Sequence, residues 1–108
     1  MRKYLYVALL CAAGCGGALS GAKSDFRAGE YGRAREQLEA LEPASKRWSE
    51  RERAEYALYR GLTHHALGDR ARAELWLAEA KRIEDVHPHT LSTDDRTRLS
   101  LALDALAP

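Results

Sequence analysis

Four histidines, two cysteines and one glycine- and lysine-bearing stretch could do chemistry in this 108-residue chain. His64 and His65 are adjacent, and neighbouring residues of a helix point about 100° apart, so they do not readily share an ion. His87 and His89 flank Pro88 and could act as a pair. No Asp/Glu–x–x–His spacing and no cysteine supports them as metal ligands. The stretch "GGALSGAKS" carries Gly16 and Gly21 at the spacing of a phosphate-binding loop. Ala22 intervenes before Lys23 and Ser24, and no strand precedes it, so the match is chance. No serine or cysteine stands in a nucleophile context, and the carboxylates are scattered along helices among arginines. These residues give no basis for catalysis, a cofactor, a resident metal or a small-molecule substrate.

Cys15 has a different context. Arg2 and Lys3 open the chain, and "YLYVALLCAA" follows as ten residues without a charge. That is half of the roughly 20 apolar residues needed to span a bilayer. A positive start, a short apolar run and then small residues form the layout of a secretory signal peptide. The run ends in "AAGC", which resembles the lipobox of bacterial lipoproteins: Ala13 and Gly14, then the modified Cys15, with Ala12 where leucine is usual. The resemblance implies a signal peptide over 1–14, a lipidated tether over 15–21 and a folded domain over 22–108. It also implies a diacylglyceryl thioether on Cys15 and an acyl chain on its freed amine. One acyl chain holds a protein only marginally, at about 0.8 kcal/mol per buried CH₂, and two or more anchor it stably. Gly16 in place of aspartate implies delivery to the outer membrane, facing the periplasm. The rival is ordinary cleavage after Ala22 in "SGA", releasing a soluble secreted periplasmic protein, with His87 and His89 as its candidate metal pair. Under the lipoprotein reading Cys11 leaves with the signal, so the body has no free thiol and no disulfide, and helix packing alone stabilises it.

With 45% hydrophobic and 31% charged residues the composition is that of a folded chain, large enough for one domain. Removing Arg2 and Lys3 with the signal leaves 15 basic against 16 acidic side chains. A body so near neutrality gives no electrostatic reason to expect nucleic acid.

The body is expected to be all-α. In "YGRAREQLEAL", Tyr31, Ala34, Leu38 and Leu41 fall on one helical face, as do Ala73, Trp76, Leu77, Ala80 and Ile83 in "RAELWLAEAKRI". Ser49 and Glu52 have capping-box spacing ahead of a stripe through Ala54, Ala57, Leu58, Gly61 and Leu62. Ser92 or Thr93 caps a last helix whose first turn holds Asp94 and Asp95 and whose buried stripe is Leu99, Ala102, Leu103 and Leu106.

A shift of 39 residues lays "GEYGRAREQLEAL" over "GDRARAELWLAEA". Gly29 then meets Gly68, Glu30 meets Asp69, Ala34 meets Ala73 and Leu38 meets Leu77. Each glycine is expected to end a helix in a left-handed cap, each acid to start the next, and each alanine to let helices approach closely. The pattern resembles the tetratricopeptide repeat over about residues 20–85, most closely in "YRGLTHHALGDRARAELWLAEA". Arg60 stands where that family has a large aliphatic side chain and Arg70 where it has an aromatic one. The spacing exceeds the family's roughly 34 residues, and "PASKRW" or a longer helix is expected to absorb the excess. The resemblance implies about two stacked hairpins plus a C-terminal capping helix.

It also implies a partner surface on the first helix of each repeat, which carries over to Glu55, Leu58, Leu62, His65 and Ala66. Tyr59 would join them in a groove suited to an envelope protein or an apolar or aromatic peptide segment. The helical stripe instead sends Leu58, Leu62 and His65 to the core. The function expected from both resemblances is that of a membrane-anchored, non-catalytic adaptor or scaffold in the cell envelope.

Overall fold

The computed structural model describes residue 17 and residues 19–108, so Cys11 and Cys15, with the signal-peptide and lipidation readings placed on them, lie outside the described residues. The described residues form six helices and no strand. In chain order they are α1 (residues 19–27), α2 (Tyr31–Ala40), α3 (Glu42–Ser45), α4 (Glu50–Ala66), α5 (Arg70–Val86) and α6 (Thr93–Leu106). No described helix is long and apolar enough to cross a membrane.

Local chemistry sets most of these boundaries. At the start of α4, Ser49 Oγ accepts from the Glu52 amide at 3.2 Å while Glu52 Oε1 accepts from the Ser49 amide at 3.4 Å. This reciprocal pair satisfies two amides that the helix itself leaves free. Asp69 Oδ1 accepts from the Arg72 amide at 3.1 Å to begin α5, and Ser92 Oγ accepts from the Asp95 amide at 3.2 Å to begin α6. Glu30 makes no such side-chain bond at the start of α2, although the 39-residue shift aligns it with Asp69. Its longer side chain lacks the short reach that suits a cap.

Gly29 and Gly68 share one geometry. Both have φ +82. The Gly29 amide donates to Phe26 O and the Glu30 amide to Asp25 O, while Gly68 donates to His65 O and Asp69 to His64 O. Each is the double bond of a left-handed helix stop, a conformation that costs a side-chain-bearing residue about 1 kcal/mol or more. The two hairpins therefore turn alike. Between them lie the single turn of α3 and the residues leading to Ser49.

The core is built around α4, which touches α2, α3, α5 and α6 and is hydrogen-bonded to α1 through Lys23 and Arg27. Every residue from 56 to 64 is buried. Against α5 the approach is closest at Gly61, where a Cβ would stand 2.7 Å from Leu77 Cγ and 3.0 Å from the Leu77 amide nitrogen. Ala34, Ala54, Ala73 and Ala80, each 0% exposed, keep other helix faces close in the same way.

Enclosure of α4 explains its polar residues. Arg60 is 8% exposed, with its guanidinium 4.3 Å from the centre of the Trp76 ring and Nη1 donating to Glu42 at 2.5 Å and to Tyr56 Oη at 2.9 Å. Stacking its planar group on an aromatic face lets the arginine occupy this interior position. Tyr56 in turn donates to Leu38 O at 2.6 Å and packs edge-on against Trp48 and Trp76. Arg70 lies at the start of α5, where it donates to the Leu106 carbonyl at the end of α6. That bond satisfies one of the carbonyls that the end of a helix leaves without an internal partner.

Residues 19–21, assigned to the tether from sequence, belong to α1, and Leu19 at 5% exposure is part of the core. The phosphate-loop look-alike around Lys23 and Ser24 is continuous helix here.

Candidate interaction site

A cavity of about 200 Å³ opens where α1, α4 and α6 meet, lined by Lys23, Arg27, Arg51, Glu55, Ser92, Asp94, Asp95 and Arg98. The helices set its chemistry through register. Lys23 Nζ reaches Glu55 Oε2 at 2.7 Å, and one turn further on Arg27 Nη2 reaches Tyr59 Oη at 3.4 Å, so α1 and α4 run alongside each other in the same direction. Phe26 packs edge-on against the Tyr59 ring, with centroids 5.7 Å apart, and fixes that alignment.

Beneath the cavity, Tyr59 donates to Asp95 Oδ1 at 2.9 Å, and Arg98 Nη1 donates to the same oxygen at 3.1 Å. Asp95 is 6% exposed and Tyr59 0%. Burial pushes the Tyr59 hydroxyl above its ordinary range, and the Asp95 carboxylate raises it further. The phenol therefore stays protonated and serves as a donor. Glu55 receives Lys23 and, at 3.4 Å, Arg51. The inner carboxylates of the cavity are each matched to a cation from the same or a neighbouring helix.

The residues chosen from sequence divide. Glu55 lines this cavity and Tyr59 lies beneath it. Leu58 at 0% and Leu62 at 9% exposure are core, so they offer no groove to a partner in this structure. The physical reason is that α4 is covered on several sides, not on one. His65 and Ala66 are exposed at the far end of α4, and His65 is not drawn into the core by its stripe position. The lining is charged, unlike the leucine, tyrosine and histidine groove expected for an apolar segment.

His87 Nε2 contacts Glu50 Oε2 at 2.7 Å, and His89 Nδ1 faces Arg96 Nη1 at 3.0 Å. The two rings thus serve different partners. Among the described residues no group of three or more His, Cys, Asp or Glu side chains is arranged to hold a metal ion. Glu84 organises their loop by accepting from the amides of His89 and Leu91, at 2.7 and 2.8 Å. It supports His89, whose φ is +69. His64 is 2% exposed with Nε2 unpartnered, and burial followed by repulsion from Arg60 lowers its pKa.

Sequence reasoning missed Lys23, Arg27, Arg51, Asp94, Asp95 and Arg98 as members of one site. Their signal was the one-turn spacing of charges, Lys23 to Arg27, Arg51 to Glu55 and Asp94 to Arg98, in three separate segments. Comparison of the chain with known protein families, with curated proteins and with solved structures gives no match.

Proposed function

We propose that this chain is a lipid-anchored, non-catalytic adaptor of the cell envelope, tethered through Cys15 and engaging a partner with a small stack of helical hairpins. The observation that carries the anchoring reading is the position of Leu19 and Ala22. They are 5% and 0% exposed in α1, so cleavage after Ala22 would remove both from the core, whereas cleavage before Cys15 removes neither. A processing site must leave the folded body intact, which favours the lipobox-like "AAGC" over the "SGA" alternative.

The repeat reading is supported by the matching left-handed stops at Gly29 and Gly68, and by α3, a short insertion that accounts for a 39-residue period. Under that reading α1, α4 and α6 are the helices facing one side, and the cavity they share is the docking site. The secreted, metal-binding alternative rests on His87 and His89, whose side chains turn to Glu50 and Arg96.

Intact-mass measurement on the native protein tests the anchor. The expected species begins at Cys15 and carries the added mass of a diacylglyceryl group and an acyl chain. An unmodified Cys15, or a chain beginning at Lys23, would overturn it. Recovery of the same envelope partner in independent pull-downs tests the adaptor role, and reproducible absence of any partner would mark the domain as a spacer.

A further inference from the structure

We infer that α5 is the contact face of a dimer, in which a second copy of this chain lies antiparallel across the outer surface of that helix. The inference goes beyond the adaptor reading and does not depend on it. Ala73, Leu77, Ala80 and Ile83 turn inward and are buried. On the opposite side of the helix Glu74, Leu75, Ala78, Lys81, Arg82 and Asp85 are all exposed. Among the described residues Leu75 is the most exposed large apolar side chain, at 65%. On the same face opens a largely apolar hollow of about 470 Å³, lined by Leu75, Trp76, Ala78, Glu79 and Arg82. A protruding leucine beside such a hollow supplies both halves of a self-complementary contact.

The charges select a second copy and fix its direction. Arg70 pairs with Glu74 at 2.8 Å and Lys81 with Asp85 at 2.7 Å, each pair one turn apart and each with the cation first. Read along the helix, the row alternates in sign, and it meets its opposite when the row is reversed. A twofold axis near Ala78 therefore sets Glu74 against Lys81 of the partner subunit and Arg70 against Asp85 of the partner subunit. Each group of four then closes a ring of alternating charge. A parallel copy in the same register would set like charges against each other.

The same axis seats the apolar groups. At 100° per residue, Leu75 and Arg82 lie to one side of Ala78, and Glu74 and Lys81 to the other. The twofold carries Leu75 of each copy to the hollow beside Glu79 and Arg82 of the other. Ala78, at the axis, has only a methyl group to hold the two helices apart. With 17 residues α5 is about 25 Å long. The contact is thus at the small end of protein interfaces, and the dimer depends on concentration. Because α5 contributes no residue to the cavity between α1, α4 and α6, that cavity stays open in both copies.

The test is sedimentation equilibrium of the full-length protein in density-matched detergent, with micelles in excess over protein. The wild type should pass from monomer to dimer as its concentration rises, and Leu75→Glu should stay monomeric over the same range. Glu74→Lys and Lys81→Glu should each dimerise at least roughly tenfold more weakly, since each sets like charges at two symmetric contacts. An equimolar mixture of these two variants should recover the dimer, because a chain with lysine at both positions then meets a chain with glutamate at both. Leu101→Glu, at an equally exposed leucine of α6, should leave dimerisation unchanged. All four substituted side chains are exposed, so circular dichroism should show every variant folded. A wild type that stays monomeric, a dimer that Leu75→Glu does not weaken, or a mixture that associates no better than its components would overturn the inference. If the wild type is monomeric and still recovers an envelope partner, the dimer falls and the adaptor reading stands; loss of that partner with Leu75→Glu would assign the face to it instead.

Discussion

The Tyr59 hydroxyl donates to Asp95 Oδ1 at 2.9 Å across 36 residues of sequence, and this bond joins the central helix α4 to the closing helix α6. Arg27 from α1 approaches the same hydroxyl, so three helices meet at one phenol. A buried carboxylate is costly unless it is paired, and here it draws on a hydroxyl and an arginine.

Removing that hydroxyl should therefore loosen α6. Tyr59→Phe is expected to destabilise the fold by about 1–3 kcal/mol, the cost of leaving a buried polar partner unsatisfied. Urea unfolding of Tyr59→Phe, Asp95→Asn and the double variant should show that the two losses do not add. Strict additivity would mean that the bond contributes nothing.

Gly61 should tolerate no side chain. An added Cβ would meet the Leu77 side chain at 2.7 Å and the Leu77 backbone nitrogen at 3.0 Å. The flexible side chain can move, but the α5 backbone is held by its whole core face. Gly61→Ala is expected to cost about 1–3 kcal/mol by overpacking, read as a lower urea midpoint with an unchanged slope. An equal midpoint would show that α4 and α5 can separate freely.

Arg60 and Glu42 should respond unequally to substitution. Glu42 is held below the usual carboxylate range, chiefly by its hydrogen bond from Arg60. Its side chain is 44% exposed, whereas that of Arg60 is only 9% exposed. Glu42→Gln leaves a buried guanidinium without its charge partner, while Arg60→Met removes the charge and keeps apolar contact with Trp76. The first variant should be the less stable of the two, and thermal unfolding of both at neutral pH checks the order.

His64 should make stability fall on mild acidification. Its folded pKa lies below the ordinary value of 6.5 because burial, then Arg60, disfavours its charged form. Below that ordinary value the unfolded chain binds a proton that the folded chain resists, so stability rises with pH in that window and is lost as pH falls. His64→Leu should flatten the dependence of the urea midpoint between pH 7 and about pH 5. An unchanged slope in the variant would assign the acid sensitivity elsewhere.

Helix boundaries were legible wherever one or two neighbouring residues decide them. Ser49 with Glu52, Ser92 and the paired glycines 29 and 68 act within a few residues of themselves, and the structure uses each as its type suggests. The buried faces of α5 and α6 were legible for a related reason: each helix packs from one side, so its apolar residues recur with the helical period. Only the tertiary structure decided that α4 is surrounded, because Arg60, Thr63 and His64 look like a solvated face in sequence, yet all three are buried, Arg60 between Glu42 and the Trp76 ring. The cavity depended on tertiary structure in the same way. Lys23 with Glu55 and Tyr59 with Asp95 lie 32 and 36 residues apart, and a charge pair at that distance has no periodic signature. Sequence by itself set the helices and their ends, since those follow from short-range sterics and hydrogen bonding. Their assembly around α4 brought the charges together, since that depends on which faces exclude water from one another.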